Sequence, residues 1–354
     1  MTSLTPSTLA ELADAVRSSP RVIAVGAGTK PRLSQVADEF VRISTAKLRG
    51  IVEYEPSEFT FTALAGTPLA EIVAALGERG QYLPFDPILA EAGATLGGTI
   101  AAGLSGPGRW RFGGLRDFIL GVQFVDGEGR LLRLGGKVVK NAAGFDVPKF
   151  FVGSAGRFGV MAEITFKVFP RPAALRTLRL DAVDDAAKLA LLTAAANTRW
   201  ELDALDAAVD QPAVFARVGG PPAALDAIVA EILGKFPGVE PARAEADRFW
   251  RGIAEFRWAH ANGTLAKLAL TPAQVPEFNA WLRAQTDARG WVSGGGNVGY
   301  VSLPAGARLA HSRWPGVTLR GDGPLWLGPK PRFEIMRTVK AALDPENRFP
   351  SLDE

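Results

Sequence analysis

Apolar positions change rhythm along this chain. Near the start, Leu9, Leu12, Ala13 and Val16 share one face of a 3.6-residue repeat, and Thr8 stands three residues before Glu11 as in a capping box. A short helix therefore opens the protein. Residues 21–25 form a short apolar run, a buried strand that leads into Gly26-Ala27-Gly28-Thr29-Lys30-Pro31. Over 48–64 apolar and polar residues alternate, as in a half-exposed pair of strands. Thr67 and Pro68 supply an N-cap and a first helical proline for a helix over 69–78 that stops at Gly80. Pro84 and Pro87 hold the next link extended.

Alternation returns in 118–125 and 130–134 around Asp126-Gly127-Glu128-Gly129, a hairpin signal, and a further strand over 161–169 closes at Pro170-Arg171-Pro172. That proline pair is the expected domain boundary. Beyond it, strands at 175–180, 214–218, 265–270 and 298–303 interleave with alanine-rich helices near 184–196, 223–235, 246–258 and 273–285. The pattern predicts an antiparallel sheet with helices on one face. A last helix covers 333–343. The expected organisation is a first domain over 1–172, a cap or substrate-type domain over 173–330, and a C-terminal helix and tail over 331–354 returning to the first.

Composition narrows the chemistry. A chain of 354 residues fits about two domains. With 40 basic and 37 acidic residues the net charge is only +3, which sets up no strong field for nucleic acid or an anionic membrane. The absence of cysteine removes disulfides, iron–sulfur clusters and thiolate metal sites. Redox chemistry would need a bound organic cofactor or a non-thiolate metal. His260 and His311 are the two histidines, too few for a typical histidine metal site, so no metal ligands are assigned. The first residues lack the basic start and apolar run of a secretion signal, and no apolar stretch reaches a membrane span; the expected location is the cytoplasm.

The densest unusual stretch is residues 95–108: five glycines, two alanines, three hydroxyl residues and no charge. Such a run lets backbone approach a partner closely, with amides and hydroxyls that suit an anionic or carbonyl-rich ligand. A tight connector is the alternative. The turn at Gly26 to Pro31 also suits a pyrophosphate. A Rossmann turn fits it poorly, because the third glycine of that fingerprint falls at Pro31 and the acid expected about 20 residues later has no clean counterpart.

Taken in order, these segments resemble one superfamily. The two glycine-rich turns flanking Pro84-Phe85-Asp86-Pro87, the 94–107 run, Gly113-Gly114-Leu115-Arg116-Asp117, Lys140-Asn141-Ala142-Ala143-Gly144-Phe145-Asp146 and the 153–159 run look like the PCMH-type (vanillyl-alcohol-oxidase-like) FAD-binding domain. Within that superfamily they look most like the FAD-binding E-subunit family of bacterial glycolate oxidase (glycolate dehydrogenase). The resemblance is close over 1–172 and looser beyond. It implies an α+β fold: two α+β subdomains that clasp extended FAD, plus an antiparallel-sheet α+β cap domain.

Carried onto this chain, the resemblance implies that Gly26, Ala27, Gly28 and Thr29 form the pyrophosphate loop. Thr95, Gly97, Gly98, Gly103, Ser105, Gly113 and Asp117 would line the diphosphate, ribityl and isoalloxazine path, and Gly159 and Val160 would meet the flavin or adenine end through main chain. Arg116 or Lys140 is the candidate to neutralise the diphosphate or the reduced ring. No histidine or cysteine lies near the turns to attach FAD, so the implied cofactor is non-covalent.

Related D-2-hydroxyacid dehydrogenases hold a metal around a His…Gly-Asp-Gly-Asn…His motif. The counterpart here, residues 291–300, keeps glycines and an asparagine but has no histidine or carboxylate. Metal-assisted alcohol oxidation is therefore not expected on this chain, and a plain glycine-rich cap hairpin is the other reading. His260 and His311 read as capping or packing residues, and no catalytic residue is assigned. The implied partners are a homologous catalytic flavoprotein subunit and an iron–sulfur subunit. A small 2-hydroxyacid is the implied substrate of the complex, and any inner-membrane association runs through the partners. Two other readings stay open: a stand-alone FAD-dependent 2-hydroxyacid or alcohol dehydrogenase using Arg257, Lys267, Tyr300 or Arg320, and a flavin-free scaffold.

Overall fold

A computed structural model describes residues 2–136, 146–330 and 333–353. The opening helix spans Leu9–Ser18, and Thr8 Oγ1 accepts the Glu11 amide at 3.1 Å. Its apolar face buries against a three-stranded parallel sheet in which Val41–Ser44 lies between Ser3–Leu4 and Val22–Val25. A five-stranded antiparallel sheet follows, in the order Ile51–Glu55, Thr60–Leu64, Val160–Lys167, Ile119–Val125, Leu131–Gly135. Phe61, Phe85, Phe118, Phe124 and Phe166 fill the core beside it. The Phe333–Leu343 helix returns to that core through Met336, Val339 and Leu343.

Two local expectations change here. Thr67 does not cap the Leu69–Gly77 helix; Pro68 precedes the first turn instead. The Thr67 hydroxyl donates to Leu64 O at 2.7 Å and accepts the Gly50 amide at 2.9 Å, because it ties two strand ends together. The glycine-rich run is also not all loop. It contains a helix, Leu96–Ala102, with Thr95 Oγ1 accepting the Gly98 amide at 3.2 Å and Gly103 ending it at φ 61°. Glycine is a poor helix former, so this helix depends on its surroundings. The Leu96 and Gly97 amides of its first turn donate to Thr67 O at 2.9 Å and Ala65 O at 2.8 Å.

Residues 174–327 supply a nine-stranded antiparallel sheet, ordered Gly238–Val239, Ala174–Asp181, Ala213–Gly220, Ala204–Ala208, Arg289–Ser293, Val298–Leu303, Thr264–Ala269, Gly316–Arg320, Trp326–Leu327. The interior strand Ala204–Ala208 escapes sequence patterning because all five residues are buried, so no alternation marks it. Helices Asp185–Ala196, Pro222–Lys235 and Val275–Arg283 cover one face with Val214, Ala216 and Val218. The fourth, Arg243–Ala254, packs on the other face through Trp250 and Ile253 against Phe215 and Trp291, which corrects the expectation of helices on one side only. Ile88, Ala102 and Leu104 from the first half share that second face, so the apolar seam between the halves is what draws this helix across.

Charge and shape fix the seam. The Asp86 carboxylate accepts Arg217 Nη2 at 2.6 Å and the Gly108 amide at 2.7 Å, and the Arg217 guanidinium lies 5.2 Å from the Trp250 ring centre. Burial works against the Arg217 charge, but Asp86 and Asp203 outweigh it and hold the group above its ordinary value. Beside it, Arg111 donates to Asp203 and Glu201, each at 2.7 Å. The Gly294-Gly295-Gly296 turn, which resembled a worn metal motif, is a cradle. Gly295 sits at φ 66°, and a Cβ there would overlap the Trp110 ring of the first half. Buried Asp206 holds the cradle, accepting Trp291 Nε1 at 2.7 Å, Ser293 Oγ at 2.8 Å and the Gly294 amide at 3.1 Å.

Two outcomes follow for stability. Asp86→Ala leaves Arg217 buried without its carboxylate and costs about 3–5 kcal/mol; Glu71→Ala, which breaks the exposed Arg49–Glu71 pair, costs under about 1 kcal/mol. Urea unfolding of the two variants checks the contrast. Burial, opposed by its three donors, pushes the Asp206 carboxyl up to about 7 from 3.8. The folded state therefore holds this proton more tightly than the unfolded chain, so the contribution is full below about pH 4 and is lost as pH rises through 7. Asp206→Asn should flatten the fall in thermal midpoint between those limits; an unchanged pH profile would rule this group out.

Candidate functional site

Two clefts meet along the short Leu96–Ala102 helix, one within the first half and one between the halves. The first, of about 690 Å³, lies between the 26–30 turn and the Leu96–Ala102 helix, with Ala65, Gly156, Gly159 and Met161 along its walls. The second, about 1210 Å³ with its open mouth, lies between the 103–117 segment and the cap strands Thr264–Ala269 and Gly316–Arg320. Leu33, Ala101 and Ala155 line both, so the two run past one another along the short helix.

Small residues leave the first cleft open. A Cβ on Gly26 would stand 2.5 Å from Thr95 Oγ1, and one on Gly97 would stand 2.9 Å from Ala65 Cβ. These two glycines bring protein backbone against protein. Gly28 differs: it holds φ 70° and a Cβ there would meet nothing within 4 Å, so it faces the cleft itself.

Donors are divided the same way. On the helix side, the Gly97 and Gly98 amides are already given to Ala65 O and Thr95 Oγ1. On the turn side, no acceptor among the described residues takes the amides of Gly26, Ala27, Gly28 or Thr29. Consecutive amides of this kind form a concavity for an anion. Lys30 follows them, 8% exposed, its ammonium donating to Thr29 Oγ1 at 2.9 Å. Burial pushes it down to about 8, with Glu255 pulling the other way.

The second cleft is cationic. Lys267 reaches in from the cap and donates to Gly103 O at 2.9 Å; burial, with Arg109 adding to it, pushes its ammonium down to about 8. Arg109 and Arg116 line the same space. The one carboxylate among its described lining residues, Asp117, accepts the Gly114 amide at 2.9 Å.

The structure distributes the sequence candidates as follows. Gly26, Ala27, Gly28, Thr29, Thr95, Gly97, Gly98 and Gly159 line the first cleft, and Gly103, Ser105, Arg116 and Asp117 line the second. Gly113 instead ends the short Arg109–Phe112 helix, and the Val160 side chain packs in the core with Leu12 and Val16. Lys140 lies outside the described residues. Of the four residues considered for a stand-alone substrate pocket, Lys267 lines a cleft. Arg257 pairs with Glu91, Arg320 donates to Gly263 O and His260 O, and Tyr300 is buried with its hydroxyl 3.5 Å from Ser105 O. Lys30 and Arg109 were missed. Each follows a glycine-rich turn directly, but ordinary surface lysines and arginines do so as well, and burial is invisible in sequence.

The chemistry of the first cleft fits a dinucleotide. It offers a row of uncommitted amides, walls thin enough for backbone contact, and one buried cation. Comparison with known proteins points the same way. Residues 3–135 match the model of the FAD binding domain family. The chain is 50% identical over 131 residues to glycolate oxidase subunit GlcE of Escherichia coli (strain K12), covering 37% of each chain. It is 30% identical over 197 residues to glycolate oxidase subunit GlcD of Bacillus subtilis (strain 168), covering 54% of this chain and 41% of that one. The matches thus span less than half of these relatives' length. In fold it is similar to a solved alkyldihydroxyacetonephosphate synthase, with a TM-score of 0.69 at 16% identity, over 98% of this chain and 75% of the other. Nearly the whole chain therefore shares one known α+β fold with that structure, and residues 3–135 match the FAD binding domain family.

Proposed function

We propose that this chain is the flavin-carrying subunit of a glycolate-oxidase-type enzyme, in which a 2-hydroxyacid is oxidised to a 2-oxoacid and the electrons leave through partner subunits. One observation carries the reading: in the domain matched to the FAD family, a groove runs from uncommitted turn amides to a cationic chamber under the cap. FAD held there non-covalently supplies two-electron redox chemistry. The residues of this chain do the rest. The Gly26 to Thr29 amides take the diphosphate oxygens, each charge-assisted bond contributing on the order of 1.5–3 kcal/mol. Gly97, Gly98, Gly159 and Ala65 shape the walls, while Gly103, Ser105, Arg116 and Asp117 border the chamber where the ring system would lie.

The chamber favours a second reading beside the first. Lys267 and Arg109 are placed to attract a carboxylate, so a 2-hydroxyacid could bind on this chain rather than on a homologous partner. Among the described residues no three histidine, aspartate or glutamate side chains converge on a point where a metal would sit. Substrate binding here would therefore rest on these cations. The iron–sulfur and homologous flavoprotein partners, the choice of glycolate among 2-hydroxyacids, and a cytoplasmic or peripheral location belong to the same proposal. Among the described residues no helix is long and apolar enough to cross a membrane.

Anaerobic addition of glycolate to the FAD-loaded chain separates the two readings. The subunit reading expects the flavin absorbance to persist until the partner proteins are added. Bleaching of the isolated chain, abolished in Lys267→Met, would move the substrate site onto this chain. Gly28→Val tests the groove. A β-branched side chain at φ 70° is strained and enters the cleft, so FAD affinity should fall at least tenfold, about 1.4 kcal/mol, in a fluorescence-quenching titration. Heat-denatured protein should release all its FAD into solution.

A further inference from the structure

The first cleft holds one charged side chain among its described lining residues, Lys30, and the fold gives that charge no carboxylate. No described acid lies within ion-pair distance of its ammonium, whose single hydrogen bond goes to the neutral Thr29 hydroxyl. Of three ammonium donors, two are uncommitted. Glu255, the carboxylate that acts on it electrostatically, spends its two oxygens on the Glu91 and Ala92 amides at 2.9 and 3.1 Å. Burying an ammonium without a counter-ion costs several kcal/mol, and among the described residues the pull of Glu255 offsets only part of it. The lysine is therefore not explained by packing.

Its place in sequence and space supplies the explanation. Lys30 directly follows the four uncommitted amides of Gly26 to Thr29 and lines the same cleft. Neutral amides can orient an anion but cannot balance its charge. A diphosphate carries two negative charges into a space whose other described walls are glycine, alanine, apolar side chains and the neutral hydroxyls of Thr29, Ser34, Thr45 and Thr95.

Resting on the reading of this cleft as the FAD site, we propose that Lys30 is the counter-charge of the cofactor's diphosphate and makes the site select dinucleotides over flavins that lack a diphosphate. The sequence offered Arg116 or Lys140 for this duty on chemical grounds, with a solvent-facing charge as the alternative. Arg116 lines the second cleft instead, at the far end of the short helix.

The experiment compares the full-length wild type with Lys30→Met and Lys30→Gln, titrated with FAD and with riboflavin and melted in the apo form. The expected result is a ten- to hundredfold weaker FAD affinity in both variants, with riboflavin affinity within twofold of wild type. The apo variants should melt at the same temperature as wild type or higher, because an unpaired buried charge has gone. Equal weakening of FAD and riboflavin, or unchanged FAD affinity, overturns the inference while leaving the FAD site in place. A lower apo melting temperature in both variants likewise overturns it, because it assigns the lysine a structural role. Wild-type protein that takes up no FAD overturns the cofactor reading itself and the inference with it.

Discussion

The structure depends on how closely the Leu96–Ala102 helix approaches the strand end at Ala65. Two first-turn amides donate to carbonyls of the neighbouring chain, and Gly97 has no room for a Cβ against Ala65. Capping of this kind normally satisfies a helix from within its own flank. Here the sheet does it, so helix and sheet cannot separate without exposing unpaired amides. That contact fixes one wall of the groove, and Thr95, whose hydroxyl caps the helix, fixes the distance to the opposite turn at Gly26.

A consequence is that the two glycine-rich segments do different work. The helix side is closed to ligand donors because its amides are consumed by the protein. The turn side keeps four amides open and adds a buried ammonium. Glycine in the first serves packing, and glycine in the second serves access. Both were read from sequence as ligand-facing.

The seam between the halves follows a similar economy of partners. Arg217, Asp86, Asp203 and Arg111 are linked so that buried charge on one half finds opposite charge on the other. Trp110 inserts against a glycine turn that Asp206 holds in shape. Breaking such a network costs more than forming it contributes, since one partner remains buried and unpaired. The seam is thus specific in register, and it places Lys267 of the cap over Gly103 of the first half. The second cleft exists only because the halves are held this way.

Much was legible in the amino-acid sequence alone. The Leu9–Ser18 helix and the hairpin around Asp126-Gly127 rest on local periodicity and turn chemistry, which neighbouring residues dictate. The match of residues 3–135 to the FAD binding domain family was legible too, because motif order survives as a string. What the sequence could not carry was anything decided by burial on both sides or by distant partners. Ala204–Ala208 shows no alternation because both of its faces are covered. The Leu96–Ala102 helix forms against its propensity because the carbonyls of Ala65 and Thr67, just past a strand end, take its first amides. Lys30 looks like any lysine until the fold removes its water without giving it an acid. Local rules set the elements, and long-range contacts decided which polar groups were left over to line the candidate site.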